Sequence, residues 1–183
     1  MCKASLLDLA ETTRDRLLVL DPDLTVRFGL RLLGAAIDEL RKAKFVQYLT
    51  AFLGALAEAL AGAGRIAQGL AAIDEALAQS ERNEEHWCVP EFLRIKGELI
   101  LREGSPQAAK GAEQHFRHSI DWARQQGVLL WELRTSTSLA RLQQDQHRIA
   151  EARSLLQSAY DRFSEGFETA DLKTANALLN SLQ

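Results

Sequence analysis

Apolar residues recur at three- and four-residue spacing along almost the whole chain, and no segment alternates with period two for long. That pattern predicts helices throughout and no sheet. One spacing then repeats within it. A small residue is followed four positions on by a large apolar one, and three later by another small one: Gly69, Ile73, Ala76; then Ala112, Phe116, Ser119; then Ala152, Leu156, Ala159. Further upstream of each set stands one more small residue, Ala57, Gly97 or Ala140. Small residues on facing helices let two backbones approach, and the large residue one turn on fills the groove between neighbouring hairpins. Recurrence of such a unit at about forty residues marks a stack of helical hairpins, none of which has enough core to fold alone.

The punctuation of the chain places the elements. Asp21-Pro22-Asp23 separates a first helix, about 5–20, from a second, about 24–42. The second carries Gly29, Leu33 and Ala36, the same small-large-small set, so residues 1–43 are expected to form a degenerate N-terminal hairpin. Three clear repeats follow at 44–82, 83–127 and 128–165, with helices expected at 44–62 and 65–81, 85–103 and 108–126, 129–145 and 148–164. Turns are expected at Gly62-Ala63-Gly64, at Glu103-Gly104-Ser105-Pro106 and near Asp145 to His147. Residues 166–183 are expected to cap the stack with a helix at about 170–182, joined by Phe163 and Phe167.

Composition narrows the class. With 183 residues, 46% of them hydrophobic and 26% charged, the chain is long enough for one domain with an ample core, and its 3 prolines leave helices uninterrupted. A formal net charge of −3 argues against a dedicated nucleic-acid or anionic-membrane binder, which needs a basic face. Cys2 and Cys88 cannot build a disulfide framework and are expected to be reduced thiols in a cytoplasmic chain. The nearly uncharged stretch 45–64 is long enough to approach a bilayer span, but it holds Gln47 and Glu58 and owes its low polarity to Ala and Gly. It is expected to be a tightly packed interior helix.

At this level of detail the chain resembles the tetratricopeptide-repeat family. Residues of the family's type fall at its fourth, seventh, eighth, eleventh, twentieth, twenty-fourth and twenty-seventh repeat positions. In the first clear repeat these are Leu53, Leu56, Ala57, Leu60, Gly69, Ile73 and Ala76. The second has Leu93, Lys96, Gly97, Ile100, Ala112, Phe116 and Ser119, and the third Ser136, Leu139, Ala140, Gln143, Ala152, Leu156 and Ala159. The units are longer than the family norm. Leu93-Arg-Ile-Lys-Gly-Glu-Leu99, Trp131-Glu-Leu-Arg134, Ser138-Leu-Ala-Arg-Leu142 and the run from Glu165 to Lys173 are similar to the C-terminal repeat region of bacterial NTPase-linked adenylate-cyclase-type or winged-helix regulators. The resemblance implies an all-α, right-handed α-solenoid with a C-terminal capping helix. It also implies a non-catalytic protein-interaction role in bacterial signal transduction or transcription regulation.

The resemblance further implies a concave groove lined by the first helix of each hairpin. Its residues would be Glu58, beside the bare wall of Ala51, Gly54 and Ala61; then Glu91, Arg94, Glu98 and Arg102; then Arg134, Thr137, Arg141 and Gln144. Guanidinium forks suit carboxylates, so an acidic peptide or protein partner is expected, anchored by Arg94, Arg134 and Arg141. The competing expectation is a solvated face on which the arginines pair internally with Glu91 and Glu98, at four-residue spacings that suit 94–98 and 98–102. Alternative roles are a small-effector sensing domain of a larger regulator and a self-assembly module. A homodimer could form over the apolar N-terminal end, which the helix at 5–20 could equally cap.

Other candidate chemistry is weak. Gly62-Ala-Gly64-Arg-Ile-Ala67 matches a loose dinucleotide fingerprint but follows a helix rather than a strand, and Leu70 stands where a phosphate loop needs lysine. His115 and His118 are three apart on one helix without an evident further ligand, and His86 and Cys88 diverge. The segment Arg141 to Arg153 has a helix-turn-helix outline but alternates acid with base. No nucleophile motif or catalytic carboxylate pair is present. No enzyme activity, cofactor, metal, membrane partner or direct nucleic-acid contact is expected.

Overall fold

Eight helices organise residues 22–43 and 48–182, the residues described by the computed structural model, and no strand occurs among them. They are α1 (Pro22–Lys42), α2 (Leu49–Gly62), α3 (Ile66–Arg82), α4 (Val89–Glu103), α5 (Ala108–Gln126), α6 (Leu129–Asp145), α7 (Ile149–Tyr160) and α8 (Ala170–Ser181). The chain is all-α. The helix expected at 5–20 lies outside the described residues, as does Cys2.

The expected bounds shift where local chemistry overrides periodicity. Helix α4 starts at Val89, later than expected, with Pro90 in its first turn, where the missing N–H costs nothing. Helix α7 ends at Tyr160, before the expected 164, and an irregular stretch leads to α8. Gly64, inside the dinucleotide-like string, takes φ +72° in the turn between α2 and α3. In the turn before α7 the left-handed residue is His147, at φ +61°.

Each helix packs on the next in sequence. In addition α2 touches α4, α4 touches α6 and α6 touches α8, whereas α3, α5 and α7 make no such contacts with one another. The result is a continuous row of α2, α4, α6 and α8 with the other helices behind it. The small-large-small sets fill the space between hairpins: Ile73, Ala76, Ala112, Phe116, Ser119, Ala152, Leu156 and Ala159 are completely buried, as are Ala57 and Ala140. The equivalent residues of α1, Gly29, Leu33 and Ala36, are only half-buried.

Two glycines set the closest approaches. A Cβ on Gly97 of α4 would lie 2.5 Å from Phe116 Cε1 on α5, and one on Gly54 of α2 would lie 2.7 Å from Phe92 Cε1 on α4. Both positions need a hydrogen in place of a side chain. At the far end, Leu172, Ala175, Leu178, Leu179 and Leu182 bury against Leu133, Ala140, Ala152, Leu156 and Ala159, so α8 covers the last hairpin. Phe163 packs against that cluster, whereas Phe167 stays 44% exposed, its ring 5.9 Å from that of Tyr160. No helix among the described residues is long and apolar enough to cross a membrane.

Candidate binding groove on the helix row

The exposed face of the row is built from the same register of each helix. On α4, Glu91, Arg94, Glu98 and Arg102 recur at three- and four-residue steps and share one side. Glu58 of α2 and Arg134, Thr137 and Arg141 of α6 flank them. Two adjoining clefts result. The larger, about 330 Å³, is lined by Glu58, Arg94, Glu98, Arg102 and Arg141 over an apolar floor that includes Ile95 and Leu99. The smaller, about 150 Å³, is lined by Arg94, Glu98, Arg134, Thr137, Ser138, Arg141, Asp171 and Thr174.

A ladder of ion pairs crosses this face. Glu58 of α2 accepts from Arg94 Nη2 at 2.6 Å. Arg94 also donates through Nε and Nη2 to the two carboxylate oxygens of Glu91, both at 2.9 Å. Glu91 in turn pairs with Arg134 of α6 at 2.6 Å, and Arg134 lies 3.4 Å from Asp171 of α8. Successive members therefore tie all four helices of the row. The centre is nearly dry, since the Arg94 and Glu91 side chains are 11% and 12% exposed. Burial alone pulls the Arg94 guanidinium toward its neutral form, but the hydrogen bonds and charge of Glu91 and Glu58 more than reverse this. Arg94 is held above its ordinary range and stays charged.

The arginines Arg94 and Arg134 pair internally with Glu91, as the competing expectation had it. Arg94 and Arg134, expected as anchors for a partner, are committed to Glu91, Glu58 and Asp171. The internal pairs expected at 94–98 and 98–102 do not form. Glu98 Oε1 instead accepts the Ser138 hydroxyl at 2.6 Å, across to α6. Arg102 and Arg141 are exposed and make no ion pair or hydrogen bond among the described residues. Thr137 is 95% buried and turns its hydroxyl back to the Leu133 carbonyl at 2.8 Å. Gln144 lines neither cleft and reaches Ser181 Oγ at 3.3 Å. Of the bare wall on α2, Ala61 lines the larger cleft while Gly54 is covered by Phe92.

Two polar clusters away from this face were not legible in the sequence. Glu132, 2% exposed, accepts from Arg124 Nε at 2.8 Å and from Arg162, pinning the segment after α7 to α5 and α6. Ser119, fully buried, donates to the Pro90 carbonyl at 2.6 Å and shares a hydrogen bond with Thr135 at 2.8 Å. A glutamate inside an amphipathic run looks like any surface charge until its arginines are brought in by the fold.

The histidines go elsewhere. His118 Nε2 accepts from Trp122 Nε1 at 3.0 Å. His115 is half-buried, and burial together with nearby Lys96 and His118 lowers its proton affinity, with Asp74 opposing. No group of three or more His, Cys, Asp or Glu converges on one point among the described residues. The segment Arg141 to Arg153 spans the turn between α6 and α7, where Arg148 is held by Glu113 and Glu151. Cys88 is buried, and burial with the adjacent Glu91 charge pushes its thiol up to about 12. Compared with protein-family models and with curated proteins, the chain matches none.

Proposed function

We propose that this chain is a non-catalytic protein-interaction module of a bacterial signalling or transcription-regulatory system, acting in the cytoplasm by presenting the groove to a peptide or protein. In this reading the hairpins are tetratricopeptide-like and form a right-handed α-solenoid with α8 as its cap. The observation that carries it is the convergence of Glu58, Arg94, Glu98, Arg102 and Arg141, drawn from three helices, on one cleft in which Arg102 and Arg141 remain unpaired. An uncommitted guanidinium on a rigid helix row is a ready hydrogen-bond donor to a partner's carboxylate. The ladder beneath supplies the rigidity, because it fixes each helix of the row against the next.

Replacing Arg102 and Arg141 together by Glu tests the reading. Both side chains are exposed and unpaired, so the variant is expected to keep the wild-type melting temperature. Proteins retained from a bacterial lysate by the wild-type chain are expected to be lost by the variant, and the purified partner to show the same loss by titration calorimetry. Retention unchanged by the double substitution removes the groove from the reading.

A second reading, a sensor of a small effector, draws on the size of the larger cleft, which falls in the range of small-ligand sites. There a metabolite would raise the melting temperature by mass action, in a concentration-dependent way.

A further inference from the structure

The groove is balanced in charge, and that balance restricts what fits it. Glu58, Glu91, Glu98 and Asp171 face Arg94, Arg102, Arg134 and Arg141 across the two clefts and their floor. The ladder consumes Arg94, Arg134, Glu91, Asp171 and one oxygen of Glu58. What remains for a ligand are the guanidinium groups of Arg102 and Arg141, the carboxylate of Glu58, half exposed with Oε2 unbonded, and that of Glu98, bonded only through Oε1. A purely acidic ligand would satisfy the arginines but bring its other carboxylates against Glu58 and Glu98. Each such like-charge approach is repulsive in bulk water and more so at a protein surface, where the effective dielectric is lower. A purely basic ligand meets the mirror-image penalty at Arg102 and Arg141.

We infer that the groove selects a peptide segment of mixed charge, with a carboxylate taken by Arg102 and Arg141 and a basic side chain taken by Glu58 and Glu98. The inference rests on the groove reading proposed above. Its spacing follows from α4. Glu98 and Arg102 are one helical step of four residues apart, about 6 Å along the axis. An extended peptide advances about 3.3 Å per residue, so the acidic and basic side chains should stand two positions apart. This is also the spacing at which side chains of an extended chain share a face. Near-zero net charge on both sides removes long-range steering, so binding should respond weakly to salt.

A phage-displayed library of random dodecapeptides, panned in parallel on the wild-type chain and on the Arg102→Glu/Arg141→Glu variant, tests this directly. The peptides retained by wild type and lost by the variant are expected to carry an acidic and a basic residue two apart and little net charge. For such a peptide, Glu98→Lys should weaken binding about tenfold, equivalent to about 1.4 kcal/mol, and raising salt from 50 to 300 mM should change affinity less than threefold. Groove-dependent peptides that are acidic without a basic residue, or tighter binding by Glu98→Lys, would overturn mixed-charge selection while leaving the groove reading standing. If no retained peptide depends on Arg102 and Arg141, both fall.

Discussion

Substituting Gly97 by Ala adds one methyl group at the tightest point between α4 and α5. Its Cβ would lie 2.5, 2.8 and 2.9 Å from Cε1, Cδ1 and Cζ of Phe116. Carbon atoms rest at about 3.5–4.0 Å, so the ring edge or the helix must retreat by about 1 Å. The ring has no free side to retreat to: Phe116 is fully buried, in a cluster with Ala112, Ile120, Leu139 and Leu142. Overpacking of this kind costs about 1–3 kcal/mol. The better helix propensity of Ala offsets about 1 kcal/mol of it. With three atoms of an enclosed ring involved, the upper part of that range applies, and the net loss should be about 1–2 kcal/mol. Gly111→Ala is the matched control on α5. Its Cβ would meet only Ile100 Cγ2, at an ordinary 3.6 Å, so propensity alone acts and the variant should gain about 0.5–1 kcal/mol. Guanidinium chloride unfolding followed by circular dichroism at 222 nm should move the two midpoints in opposite directions at unchanged slope. Adding Phe116→Leu to Gly97→Ala should cost less than the two single losses summed, because the smaller side chain relieves the clash. A Gly97→Ala variant as stable as wild type would refute the close approach of α4 and α5.

Three further outcomes follow from the ladder and the buried side chains. Glu91→Ala leaves the nearly dry Arg94 with Glu58 alone and the third-exposed Arg134 with Asp171 alone, and denaturant unfolding should show a loss of about 1–3 kcal/mol; an unchanged stability would dismiss the ladder as a stabilising element. His115 binds a proton less readily folded than unfolded, so the unfolded chain takes up more protons below about pH 6.5. Its contribution is therefore intact above that pH and lost as pH falls, and His115→Gln should flatten the decline in melting temperature between pH 7.5 and 5.5. In a Cys2→Ser background, the Cys88 thiol should react with a disulfide reagent at pH 8 about a hundredfold more slowly in the native chain than in denaturant, as its burial and raised pKa require.

The fold was legible where its determinants are local to a hairpin. The sets around Ile73, Phe116 and Leu156 are fully buried as expected, because a small residue and a large one at helical spacing answer to one neighbouring helix close in sequence. Gly97 against Phe116 is the same logic across 19 positions of chain, and it holds to within a hydrogen atom's width. Helix ends were less legible. Pro90 tolerates the start of α4 but not its interior, so the periodic pattern upstream of it overran the real beginning. Residues 161–164 keep enough apolar spacing to suggest helix, yet the Arg162 tie to Glu132 holds them out of one and Gly166 turns the chain at φ +77° just beyond.

The groove divides along the same line. Which residues share a face of α4 follows from the helical period, so Glu91, Arg94, Glu98 and Arg102 could be placed together from sequence alone. Pairing of the arginines with Glu91 was also expected, but the remaining partners were not, since the partner of a long side chain depends on what the next helix brings within reach. Arg94 meets Glu91 three residues before it and Glu58 thirty-six before it, while Glu98, four residues after it, is drawn forty positions on to Ser138. Asp171, absent from any reading of the hairpins, enters from α8 and closes the ladder. The consequence for recognition is that a count of arginines overstates how anionic a partner must be. Two of the four are already neutralised, and their carboxylates, Glu91 buried and Glu58 and Asp171 largely exposed, remain as counter-charges that a strongly acidic ligand would also feel. Affinity then depends on short-range pairing at Arg102 and Arg141, and selectivity on how well the ligand avoids, or answers, Glu58 and Glu98.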